Sequence, residues 1–130
     1  MNHRAIVLLI IFLGGGIGSM LRHGVNRVSA MAFGVNFPYG TLFVNLVGSF
    51  VMGALAGWFA LRGGHTQSLR LFLTTGVVGG FTTFSAFSLD VVLLWERGHI
   101  GIAAAYVGLS VAGAVLGVFF GLAILRSLLS

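Results

Sequence analysis

Apolar positions run almost without interruption along this chain, and the few charged side chains fall between the runs. Four stretches carry no charge at all: Ala5 to Leu21, Val28 to Leu61, Leu71 to Leu89 and Ile100 to Leu125. Each can supply about 20 residues of helix, enough to cross a hydrocarbon core ~30 Å thick. The pattern predicts an all-α membrane protein of four transmembrane helices, over about 4–30, 38–61, 69–96 and 99–126, in one domain covering 1–130. A cleaved leader would be followed by a soluble domain, and no soluble domain follows the first run. Asn36-Phe37-Pro38 reads as the start of the second helix, with proline in the first turn and asparagine as cap. Gly63-Gly64 reads as its end and Gly98 as the end of the third.

The third run contains a segment that conflicts with its surroundings, Gly76-Val77-Val78-Gly79-Gly80-Phe81-Thr82-Thr83-Phe84-Ser85-Ala86-Phe87-Ser88. Paired glycines followed by paired threonines read as a helix stop and a helix start. A freed backbone group in hydrocarbon costs several kcal/mol unless something bonds it, so a break there faces protein, water or an ion. At 1.5 Å per residue, Leu71 to Val78 makes ~12 Å of helix and Thr83 to Trp95 ~20 Å. The third helix is therefore expected to be broken near the membrane centre, with Thr82 or Thr83 as cap. Carbonyls converging at the break would suit a small hard cation such as sodium. In a two-fold dimer the break would meet its copy. An ordinary glycine hinge is the competing reading. After the break, Phe84 and Phe87 lie one turn apart with Thr83, Ser85 and Ser88 alongside. Ring edges are positive and can hold a small anion, although aromatics at this spacing also serve as plain packing.

Composition supports the membrane assignment: 58% of residues are hydrophobic and 7% charged, against roughly 25% charged in soluble domains. The net charge of +5 comes from seven arginines against Asp90 and Glu96. The arginines lie scattered at span ends, as membrane anchors do, which argues against nucleic acid as a partner. With four spans, Arg4, Arg62, Arg70 and Arg126 share one side and Arg22, Arg27 and Arg97 the other. So small a bias predicts insertion in both orientations and an antiparallel homodimer. If Arg22 lies inside the first helix, the balance becomes four against two and favours one orientation. The 21 glycines include four-spaced sets, Gly14 and Gly18, Gly53 and Gly57, and Gly113, Gly117 and Gly121, which let helices approach closely. Four short helices leave little interior, so a pore is expected between two chains. Some of these stripes would then serve only to pack the four-helix unit.

Enzymatic chemistry finds no support. Cysteine and lysine are absent, His3, His23, His65 and His99 lie toward expected helix ends, and no nucleophile and base can be placed together. A small proton-coupled multidrug exporter remains as the alternative transporter. It needs an acid deep in a helix, and Asp90 and Glu96 lie toward the end of the third span.

Gly79-Gly80-Phe81-Thr82-Thr83-Phe84-Ser85-Ala86-Phe87-Ser88 resembles the GGxTTFSTFS signature of the Fluc (CrcB) family of small fluoride channels. Gly14-Gly15-Gly16-Ile17-Gly18 followed by Arg22, and Gly40-Thr41-Leu42-Phe43-Val44-Asn45-Leu46-Val47-Gly48, match that family in order and spacing. Ala86, Asp90 and Ala114 depart from residues common there. The resemblance implies a dual-topology homodimer in the cell's inner (plasma) membrane, with lipid around it. It further implies two fluoride pathways, a central structural sodium ion, and passive fluoride export that lowers toxicity. By the same resemblance Phe84, Phe87 and Asn45 line the fluoride pathway. Thr41, Thr83, Ser85, Ser88, Tyr106 and Ser110 are its polar lining, Arg22 is the vestibule cation, and the carbonyls of Gly79 and Thr82 are sodium ligands. Thr41 with Asn45, and Tyr106 with Ser110, form i,i+4 pairs on single helix faces. Asn45 could equally make an interhelical hydrogen bond.

Overall fold

A computed structural model describes residues 1–130, and every regular element in it is helical. Helix α1 spans His3–Phe33 and α2 spans Tyr39–Leu61. The third span, Gln67–Glu96, is composite: α3 (Gln67–Leu71), a π-helical segment (Phe72–Val78), α4 (Gly79–Phe81) and α5 (Phe84–Glu96). Helix α6, Ile100–Leu129, completes the chain. The four spans are each long and apolar enough to cross a membrane.

Local chemistry sets most of the ends. Asn2 Oδ1 accepts from the Ala5 amide at 2.8 Å and caps α1, and Thr66 Oγ1 accepts from Leu69 at 3.1 Å and caps α3. Gly98, with φ of 83°, takes the left-handed conformation that reverses the chain between α5 and α6. The start of α2 differs from the sequence reading. Pro38 stands one residue before the first turn, at the N-cap position, and no side chain caps this end, so Asn36 is not the cap. The Tyr39 amide is instead bonded to the Phe37 carbonyl at 2.9 Å. Helix α1 continues to Phe33, and Arg22 therefore lies well inside a span and not at its end.

Close packing runs on glycine. A Cβ at Gly18 would collide with the Val77 carbonyl, and one at Gly14 would come within 2.7 Å of the Phe72 carbonyl. These contacts hold α1 against the first half of the third span. Helices α2 and α6 run parallel in register: Gly113 packs on Leu46, Gly121 on the Phe50 carbonyl, Gly53 on Val118 and Gly57 on Leu125. All the four-spaced glycine sets thus pack within one chain. The second half of the third span packs on α6 through a core of Phe87, Leu94, Ala103 and Tyr106. The span therefore changes its packing partner where its helix is interrupted. Only 16 of the 130 residues are buried, so most of the apolar surface is left for lipid or for another protein chain.

Candidate ion pathway

Thr82 and Thr83 are extended, with φ, ψ of −87°, 159° and −154°, 125°, and they separate α4 from α5. The threonines act as the sequence suggests. Thr83 Oγ1 accepts from the Ala86 amide at 3.1 Å as the cap of α5, and Thr82 Oγ1 donates to the Val78 carbonyl at 3.1 Å. The glycines do not: Gly79 and Gly80 are still helical, and the ladder stops only after Phe81. The π-helical turn immediately upstream had no counterpart in the sequence reading. Its one visible correlate is Gly76, whose Cα lies against Gly14.

Side chains from two other spans take over the backbone bonds lost here. Asn45 of α2 holds both polar groups of Thr83: its Oδ1 accepts from the Thr83 amide at 2.8 Å, and its Nδ2 donates to the Thr83 carbonyl at 3.0 Å. The amide that a continuous helix would direct at the Gly79 carbonyl is thereby committed elsewhere. Arg22 of α1 donates from Nε to the Gly80 carbonyl at 3.1 Å. A charged donor on a partly buried carbonyl stabilises by roughly 1.5–3 kcal/mol. Arg22 was expected at a vestibule, and in the single chain it is a backbone ligand of the interruption.

A groove of about 300 Å³ opens beside the interruption. Asn45 and Ser49 line it from α2, Thr82, Thr83, Phe84 and Phe87 from the third span, and Ser110, Ala114 and two valines from α6. The two phenylalanines differ in environment. Phe87 is 7% exposed and packs on Tyr106 at 5.2 Å between ring centroids, whereas Phe84 is 77% exposed, 5.5 Å from Phe87. Ser110 is 6% exposed, and its buried hydroxyl has no hydrogen-bond partner in the protein. A buried hydroxyl without a partner costs on the order of 1–3 kcal/mol. Ser110 is among the residues that line the groove, and its hydroxyl is free of any protein partner.

The other expected lining residues lie outside this groove. Thr41 and Tyr106 are buried one turn away, and the Tyr106 hydroxyl donates to Asp90 Oδ2 at 2.9 Å. Asp90, in the sequence a departure from the family pattern and a weak candidate for an exporter's acid, is thus the partner of a buried tyrosine. Ser88 Oγ donates to the Phe84 carbonyl at 2.9 Å, and Ser85 Oγ lies 3.4 Å from Thr83 Oγ1. Both serines are exposed on the outer face of α5. Ser49 is a further lining residue, and its signal in the sequence is its spacing of four from Asn45.

The family profile described as CrcB-like protein, Camphor Resistance (CrcB), matches residues 9–122. Individual relatives agree. The chain is 58% identical over 120 residues to the fluoride-specific ion channel FluC of Rhodopseudomonas palustris (strain BisB5), covering 92% of this chain and 97% of that one. It is 57% identical to FluC 2 of Nitrobacter hamburgensis, also over 92% and 97% of the two chains. With FluC of Methylobacterium nodulans it shares 55% identity over 91% of this chain and 94% of the relative. Since the matching span takes in α2, the interrupted third span and most of α6, it contains the whole groove, and the chain belongs to the CrcB family.

Proposed function

We propose that this protein is a fluoride-selective channel that lets fluoride leave the cytoplasm down its gradient. The observation that carries the reading is the groove itself, considered with relatives named for fluoride. It offers a partnerless buried hydroxyl from Ser110 and two phenylalanine rings, and no acidic side chain lines it. Positive ring edges and hydroxyl donors favour a small anion. The exposed face of Phe84 gives that anion a way in from the side of the chain left open. A proton-coupled exporter finds no support among the relatives, and the Asp90 carboxylate is engaged by Tyr106.

The assembly we propose is an antiparallel homodimer in the inner membrane, with the third span's interruption near the membrane centre. With Arg22 inside α1, four arginines at the ends face two, a balance that favours one orientation, so the proposal of both orientations rests on the open groove and not on the charge count. The single chain encloses little, and its groove is open on the side where a second copy could close it.

A sodium ion at the meeting of two interruptions fits the residues present. No cluster of three acidic, histidine or cysteine side chains exists to hold a metal, so a cation there must use neutral oxygens. The Gly79 carbonyl is denied its amide partner by Asn45, and Thr82 is extended, so its carbonyl lies outside the helical ladder. Few, uncharged oxygen ligands suit a monovalent ion. Bound there, sodium would supply positive charge to carbonyls that have no protein donor.

Fluoride efflux from liposomes carrying purified protein, followed by a fluoride electrode and compared with chloride efflux, tests the function. Fluoride should leave without ATP or a counter-ion requirement. Equal chloride efflux, or none of either from well-inserted protein, refutes the reading.

A further inference from the structure

The parallel pairing of α2 and α6 makes a ladder of opposed positions at intervals of one turn. Thr41, Asn45 and Ser49 repeat every four residues on α2, and Tyr106, Ser110 and Ala114 do so on α6. Gly113 and Gly117 set the register: a Cβ on the first would strike Leu46, and one on the second would lie 3.6 Å from the Ser49 Cβ. Ser49 therefore faces α6 next to Gly117, within one turn of Ala114 on that helix. Ser49 and Ala114 line the same groove as Asn45 and Ser110. At this rung α6 offers only a methyl group, and the one polar side chain comes from the opposite helix. The hydrogen bonds around the groove join Asn45, Thr83, Ala86, Thr82 and Val78 and leave the Ser49 hydroxyl out.

We propose that Ser49 is a pathway residue, donating its hydroxyl to the passing anion one turn beyond Asn45 and Ser110 and supplying the donor that Ala114 lacks. The inference rests on the fluoride reading and extends it to a residue that the sequence did not single out. A dehydrated fluoride must exchange each lost water for a protein donor, and a rung with none is a barrier in a narrow passage. One hydroxyl is sufficient there whichever helix carries it. Ser110 reaches the groove as a buried hydroxyl from α6, and Ser49 continues the run from α2.

The test uses full-length protein in liposomes and reads fluoride efflux per protein. Ser49→Ala should lower the rate roughly tenfold, the order set by one hydrogen bond to a charged species. Adding Ala114→Ser to that variant, which returns a hydroxyl to the same rung from the other helix, should recover most of it. Ser49→Thr and Ser49→Val, equal in shape and different only in the hydroxyl, control for packing: threonine should conduct well and valine poorly. Wild-type rates in Ser49→Ala and Ser49→Val overturn the assignment, as does a double variant no better than Ser49→Ala. Absence of fluoride efflux from the wild-type protein overturns the fluoride reading and this inference together, whereas normal wild-type efflux with an insensitive Ser49 overturns this inference alone.

Discussion

Asn45 and Thr83 are joined by two hydrogen bonds, amide to Oδ1 at 2.8 Å and Nδ2 to carbonyl at 3.0 Å. One side chain thereby replaces two rungs of the helical ladder that the extended threonines give up. Asn45→Ala strands both Thr83 groups, at roughly 1–3 kcal/mol each. Asn45→Asp keeps the accepting oxygen and turns the donor into an oxygen facing the Thr83 carbonyl. Both variants should unfold at lower temperature in detergent. The aspartate should also abolish fluoride flux, because it adds a negative charge to the lining of the groove.

The two groove phenylalanines should separate in their effects. Phe84 is exposed and Phe87 is packed on Tyr106. Replacement by isoleucine keeps apolar bulk and removes the ring quadrupole. Phe84→Ile should leave thermal stability unchanged and cut fluoride flux, whereas Phe87→Ile should cut flux and also cost about 1 kcal/mol of stability. Unchanged flux in both would make these rings packing residues.

Glycine substitutions should follow the space around each position. Gly18→Ala drives a methyl group into the Val77 carbonyl and to within 2.7 Å of the Phe81 amide, whereas Gly108→Ala enters open space. Overpacking of this kind costs about 1–3 kcal/mol or more. Size-exclusion profiles should show aggregation or loss of Gly18→Ala and a wild-type peak for Gly108→Ala.

Orientation can be read with a single thiol, since the chain has no cysteine. Gly63 lies in the exposed segment between α2 and α3, with nothing within 4 Å of a side chain placed there. In right-side-out and inverted vesicles, an impermeant thiol reagent should label part of the Gly63→Cys population from each side. Labelling from one side only would remove the mixed-insertion proposal.

The four spans were legible because hydrocarbon tolerates no charge, and a run of that length without one has few other meanings. The start of α5 was legible for a similar reason, since Thr83 is a good cap in a place where an uncapped amide is costly. What escaped was set by partners distant in sequence. Nothing in Gly79-Gly80 says that those residues stay helical, because the decision lies with Gly15, Gly18 and Arg22 packed across from them. The π-helical turn likewise has its visible contact, Gly76 on Gly14, far away in sequence. The place of Arg22, at a span end or inside the first helix, stays open in the sequence because a guanidinium inside a span is expensive unless a carbonyl receives it, and the Gly80 carbonyl is brought to it only in three dimensions. Phe84 and Phe87 share a spacing, yet their burial differs because α6 covers one of them alone.

The parallel alliance of α2 with α6 carries a consequence for how the protein is made. Helix α2 enters the bilayer early in synthesis with Thr41, Asn45 and Ser49 along one side; Asn45 finds its partner in the third span, while α6, the main neighbour of α2, emerges after both. Until α6 docks, the Thr41 and Ser49 hydroxyls face lipid or whatever attends the nascent chain, a costly condition for two hydroxyls in hydrocarbon. A ribosome stalled before α6 should therefore hold a chain prone to leave the bilayer or to associate wrongly through that side. Quality control that senses exposed intramembrane polarity would have its cue until the final helix docks.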